Sequence, residues 1–121
     1  MPWSTALAEY QEAGFLFVAL TTPRALRDEG KAMDHCVESY AAACVSGKSR
    51  IFSVRSLRTR RRVATVELHI DDLKLRKKWF VGQVKGRSNA EVGEGVRKAA
   101  DGLARRYAAE SLVSHKRKAR R

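Results

Sequence analysis

The spacing of apolar residues changes along this chain, and the changes divide it into elements. From Phe15 to Leu20 the apolar run is continuous, which suits a buried strand entered from Gly14. Thr21-Thr22-Pro23 follows. Thr22 can cap a helix whose first residue is Pro23, and this short helix should end near Gly30. Met33, Cys36, Val37, Tyr40, Ala41, Cys44 and Val45 then recur at helical spacing, as one buried stripe of an amphipathic helix stopped at Gly47. His35 lies nearly opposite that stripe, so it is not a core histidine of such a helix.

Beyond Gly47 the period falls to two. Strands are predicted at Arg50 to Arg55, Arg62 to Ile70 and Trp79 to Lys85, joined by a basic turn (Leu57 to Arg61) and a linker (Asp71 to Lys78). Short connections favour an antiparallel meander. One face would carry Phe52, Val54, Ala64, Val66, Leu68, Ile70, Phe80 and Val84, all apolar. The other would carry Ile51, Ser53 and Arg55, then Val63, Thr65, Glu67 and His69, then Trp79, Val81, Gln83 and Lys85. A slip of one residue would bury Arg55, Glu67 and Lys85, so the register is well specified. Ser88 and Glu91 fit a capping box for a last helix from Glu91 to Val113, with Val92, Val96, Ala99, Leu103 and Tyr107 facing the core. Gly93, Gly95 and Gly102 weaken that helix, so its first turn can start late. The expected fold is α+β: an antiparallel sheet of three to four strands with helices packed on one face. One domain would span residues 1–113, with a basic tail at 114–121.

Charge changes the picture. Lys and Arg number 25 against 13 Asp and Glu, a formal net charge of +12. This speaks of partners rather than of fold, and phosphate backbones are the polyanions most often met. Candidate nucleic-acid contacts, to DNA or RNA, are Arg58, Arg60, Arg61 and Arg62 in the hairpin turn and Lys74, Arg76, Lys77 and Lys78 in the linker. Lys85 and Arg87 follow, and the tail adds Lys116, Arg117 and Lys118. Trp79 would offer a stacking plane, and GQVKGRSN a phosphate cradle before a helix. Docking on an acidic protein or nucleoprotein complex, as an accessory or inhibitor, is the competing reading. No apolar run is long enough for a membrane span and no signal peptide is visible, so no membrane partner is expected. Cys36 and Cys44, eight residues apart on one helix face, read as small core residues of a cytoplasmic protein. Neither belongs to a CxxC pair, so no zinc site is expected, and no cofactor is expected either.

Arg55, Glu67, Gln83 and Lys85 share one face of the predicted sheet. They make either cross-strand pairs on a solvated face or a pocket for an anionic group, with Arg55 and Lys85 as donors. His35, if a cleft forms beside it, is the best general acid or base in the chain, with Glu67 as its partner. This defines an enzymatic alternative: a metal-independent nuclease or other phosphodiester-acting enzyme using His35, Glu67, Arg55 and Lys85. P-loop, dinucleotide, HExxH and GxSxG motifs are absent.

Taken in order, EGKAMDHCVESYAAACVSGKSRIFSVR, ATVEL and VGQVKGRSN resemble the PcfJ-like domain family. Its members have a similar HCVxxY element, an IFSxR-like strand, an ATxE-like strand and a QxxGxxN-like strand end. The resemblance covers about residues 20–90 and highlights His35, Cys36, Val37, Tyr40, Arg55, Glu67, Gln83, Lys85, Gly86 and Asn89. It adds Tyr40, Gln83 and Asn89 to the candidate pocket. It also implies an origin in plasmids, conjugative elements or phage-like elements, and leaves the chemistry open.

Overall fold

A computed structural model describes the backbone of residues 2–71 and 78–119 and the side chains of residues 2–70 and 78–113. The chain forms strands β1 (Glu9–Glu12) and β2 (Phe15–Leu20), helix α1 (Pro23–Met33), a 3-10 turn (Glu38–Tyr40) and helix α2 (Ala41–Val45). Strands β3 (Ser49–Ser56), β4 (Arg62–Asp71) and β5 (Lys78–Lys85) follow, then a second 3-10 turn (Arg87–Asn89) and helix α3 (Glu94–Ala119). The sheet has five antiparallel strands in sequence order, β1-β2-β3-β4-β5.

The added strand is β1. Its sequence, Glu-Tyr-Gln-Glu, lacks an apolar alternation because it lies at the sheet edge. It turns into β2 through Ala13 and Gly14, both at positive φ (53° and 85°), as a two-residue hairpin requires. Alanine is an unusual residue for the first of those positions.

Helices cover both faces of the sheet rather than one. On one face α3 lays Ala99, Ala100, Leu103, Ala104 and Tyr107 over Phe17, Phe52, Val54, Val66 and Leu68. On the other, α1 and α2 bring Leu26 and Cys44 against Trp3, Leu20, Val37 and Ile51. The expected solvated face is therefore largely covered, and Ile51, Ser53 and Thr65 are buried.

Helix α1 starts as its sequence implies: Pro23 is its first residue and the Thr22 hydroxyl accepts from Ala25 N–H at 3.0 Å. It does not end at Gly30. It runs to Met33 and closes on Asp34 in the left-handed region, where Asp34 and His35 N–H groups donate to Gly30 C=O. The long helix expected from Met33 to Val45 is thus broken. Met33 belongs to α1, and the stripe resumes only in the 3-10 turn and α2. Cys36, in the intervening loop, is exposed while Cys44 is buried, so the two thiols do not share a core face. Gly47 does end α2, at φ 84°, with Gly47 and Lys48 N–H groups closing on Cys44 and Ala43 carbonyls.

Two register shifts re-aim side chains. Between β4 and β5, Glu67 pairs with Gln83 but Leu68 with Val81, which leaves Gly82 as the extra residue. Beyond it the alternation inverts. Trp79 turns into the α3 core, edge-on to Tyr107 at 4.9 Å between ring centroids, and Phe80 turns outward beside His69. Between β3 and β4, Val54 pairs with Ala64 but Arg55 with Arg62, so Val63 is extra and Arg62 swings to the α1 face.

The capping box does not form. Ser88 and Asn89 adopt positive φ (55° and 61°), and Ser88 Oγ donates to Asp34 Oδ2 at 2.7 Å. Glu91 pairs with Lys85 and Arg97, and α3 begins at Glu94. The GRSN segment is therefore not the start of a helix. Helix α3 carries on to Ala119, so the backbone of the basic end is helical to that residue. Among the described residues no helix is long and apolar enough to cross a membrane.

A polar cleft and an arginine groove

Three chain segments meet on the α1 side of the sheet. The loop after α1 supplies His35, Cys36 and Val37, and the 3-10 turn supplies Tyr40. Strands β3 and β4 supply Ile51, Thr65 and Glu67; β5 and the turn after it supply Gln83, Lys85 and Asn89. Together they enclose a cleft of about 30 Å3. His35, Glu67, Gln83, Lys85, Tyr40 and Asn89 are thus brought together. Arg55 is not among them.

Tyr40, Glu67, Gln83 and Lys85 are each held by a neighbour. Tyr40 OH donates to Gln83 Oε1 at 3.0 Å. Burial, and then the charge of Glu67, raise the Tyr40 pKa above its usual value, so the hydroxyl keeps its proton at neutral pH. Ser49 Oγ donates to Glu67 Oε2 at 2.7 Å, and His69 Nδ1 lies 3.7 Å from the same oxygen. Gly82 makes room for this carboxylate, because a Cβ there would stand 2.5 Å from Glu67 Oε1. Lys85 Nζ reaches Glu91 Oε1 at 3.3 Å. Hydrogen bonds from Lys85 and Arg97 hold the Glu91 carboxyl below its ordinary pKa.

Behind the cleft runs a buried relay. His35 Nε2 lies 2.9 Å from Thr65 Oγ1, and Thr65 Oγ1 donates to Glu29 Oε2 at 2.6 Å. Glu29 is wholly buried, and its other oxygen faces Arg62 Nε at 2.9 Å. The N–H of that pair does not point along the line to the oxygen, so the contact is one of charge rather than a formed hydrogen bond. Sequence reasoning missed Glu29. The signal was present: Leu26, Glu29 and Met33 share the buried stripe of α1, and a carboxylate in that stripe needs partners.

Beside the cleft is a groove of about 450 Å3 lined by Arg55, Arg60, Arg61, Arg62 and Arg87 with Ala32, Met33 and Val63. Arg60 has a positive φ (63°) in the hairpin turn, and Arg87 donates to Ala32 C=O at 3.4 Å. Arg55 Nε is buried without a partner. Among the described residues, Arg55, Arg60, Arg61 and Arg87 have no carboxylate within 4.0 Å, whereas Arg62 is tied to Glu29.

The remaining candidates fall elsewhere. Trp79 is buried and offers no stacking plane. Arg58 and Lys78 are exposed but do not line the groove. Lys74, Arg76 and Lys77 lie outside the described residues, as do the side chains of Lys116, Arg117 and Lys118.

The HCVESY loop, the ATVEL strand and the QVKGRSN strand end thus meet around one cleft. The model of a known family, described as PcfJ-like protein, matches residues 5–99. The chain belongs to the PcfJ-like protein family. No curated protein and no solved structure matches it. The match to the PcfJ-like family spans all five strands and every residue of the cleft and groove.

Proposed function

We propose that this PcfJ-like chain binds nucleic acid through its phosphate backbone, with the arginine groove as the main contact. One observation carries the reading: five arginines from β3, the hairpin turn, β4 and the turn after β5 line a single groove, four of them without a carboxylate partner among the described residues. Like charges gathered this way repel one another unless an anion lies between them, and guanidinium groups match phosphate oxygens in pairs. Such contacts fix position and carry little sequence preference.

Fluorescence anisotropy with labelled oligonucleotides tests it. Affinity should fall steeply with salt, with a slope of about 0.7–0.9 per neutralised phosphate. Arg60→Asn with Arg61→Gln should flatten the slope by about 1.4–1.8 without unfolding the chain. Asparagine suits residue 60 because it tolerates positive φ. Affinity that stays constant from low to physiological salt would refute the reading.

A second reading, a phosphodiester-acting enzyme, draws on the placement of His35 and Glu67 in one cleft. A general base contributes about 10²–10⁴-fold in rate, and Lys85 supplies positive charge in the same cleft.

A further inference from the structure

Thr65 Oγ1 has one hydrogen and two neighbours, Glu29 Oε2 at 2.6 Å and His35 Nε2 at 2.9 Å. The Glu29 carboxylate, facing the Arg62 guanidinium, can only accept. The threonine hydrogen therefore goes to Glu29, and toward His35 the same oxygen can only accept. His35 Nε2 must carry a hydrogen. In a neutral imidazole the lone pair then resides on Nδ1. Among the described residues, Nδ1 has no hydrogen-bonding partner. His35 borders both the small cleft and a wider depression along α1, so a donor from outside the protein can reach this ring.

We propose that His35 is a general base acting on RNA, its Nδ1 accepting the proton of a ribose 2′-hydroxyl, and that Thr65 and Glu29 are the positioning residues that hold it in this tautomer. The proposal rests on the nucleic-acid reading above, which it narrows to a substrate class. The base takes the hydroxyl proton. The 2′ oxygen then attacks the adjacent phosphorus, and the bond from phosphorus to the 5′ oxygen breaks. That leaving oxygen takes a proton from water, and the imidazolium returns its own to the hydroxide so formed. The products are a 2′,3′-cyclic phosphate end and a 5′-hydroxyl end, with atoms and charge in balance. DNA has no 2′-hydroxyl, so it would occupy the arginine groove without being cut by this route.

Two measurements on the full chain decide the matter. The first is the tautomer, read from the imidazole nitrogen chemical shifts of His35 by NMR. Wild type should show hydrogen on Nε2. Thr65→Val should release the lock and give mixed tautomers, and Thr65→Ser should restore it. Hydrogen on Nδ1 in wild type, or no response to Thr65→Val, overturns the positioning role.

The second uses labelled RNA, the same strand with one 2′-deoxy residue, and the DNA equivalent, with His35→Ala purified in parallel. Cleavage should yield cyclic phosphate ends, skip the deoxy position, spare DNA and fall at least about 100-fold in His35→Ala. RNA bound with salt dependence but left uncut, or cut equally by His35→Ala, refutes the base and leaves the binding reading intact. Binding of neither strand removes both.

Discussion

Glu29 and Arg62 form an unequal pair, and the inequality can be measured. Glu29 is wholly buried, whereas Arg62 keeps 35% of its side-chain surface exposed. Arg62→Met leaves a carboxylate in the interior with Thr65 as its remaining hydrogen-bond donor. Removing one partner of a fully buried pair costs about 3–5 kcal/mol. Because water already reaches Arg62 and weakens the attraction, the expected loss here is about 2–3 kcal/mol. Glu29→Leu does the opposite. It removes the buried charge, fits the apolar stripe of Leu26 and Met33, and frees Arg62 to turn to solvent, so it should change stability by less than about 1 kcal/mol. The double variant should recover most of the Arg62→Met loss, for a coupling of about 2 kcal/mol. Urea titration followed by tryptophan fluorescence reads this directly, because Trp3 and Trp79 are both buried. The Arg62→Met midpoint should fall by about 1–2 M. If Glu29→Leu costs as much as Arg62→Met, the buried carboxylate is not what Arg62 serves.

Other outcomes are as specific. Gly30→Ala places a Cβ 2.7 Å from His35 backbone oxygen, so it should destabilise the chain by about 1–3 kcal/mol and move the His35 resonances; an increase in stability, as alanine's helix preference alone would give, contradicts the packing. Trp79→Phe should lower stability by about 1–2 kcal/mol and leave oligonucleotide affinity unchanged, and weakened binding by a folded variant would return Trp79 to the interface. A thiol reagent should label Cys36 alone in the native chain and Cys44 only in denaturant, because burial pushes the Cys44 thiol up to about 11. The same shift sets an alkaline limit. An unfolded thiol ionises near 9.0 while native Cys44 holds its proton, so the unfolded state loses protons first and stability falls from about pH 9 to 11. Cys44→Ala should flatten that part of the pH–stability curve, and an unchanged slope would show that the buried thiol is not its source.

The parts of the fold set by local rules were legible. Strict alternation in β3 and the first half of β4 gave the faces of Phe52, Val54, Val66 and Leu68 correctly, and Thr22-Pro23 gave the start of α1. The grouping of Glu67, Gln83 and Lys85 followed from the same alternation, which holds up to the Gly82 bulge. The misses arise where one residue changes the count. Gly82 inverted the placing of Trp79 and Phe80, and Val63 redirected Arg62 toward Glu29. The stripe from Met33 to Val45 fits helical spacing across a chain reversal at Asp34, because periodicity does not register a left-handed residue. Strand β1 pairs through its backbone while its side chains remain polar, so composition concealed it. Helices on both faces could not be told from helices on one, because periodicity shows that a stripe is buried without saying against which face.

Every strand of the sheet pairs with its neighbour in sequence. Emerging from a ribosome, the sheet can therefore add each strand to the one made before it, and only the β2–β3 pair must wait for an insert, α1 and α2, to be made first. Its cover arrives last. Phe17, Phe52, Val54 and Val66 remain uncapped until Ala99, Leu103 and Tyr107 are synthesised, and the Tyr107 hydroxyl then bonds back to the Ala6 N–H at 3.1 Å. A chain stalled before Ala99 would present a wide greasy surface, the kind that chaperones hold and that otherwise aggregates. The seam between α3 and the segment before β1 is thus the step that closes this sheet.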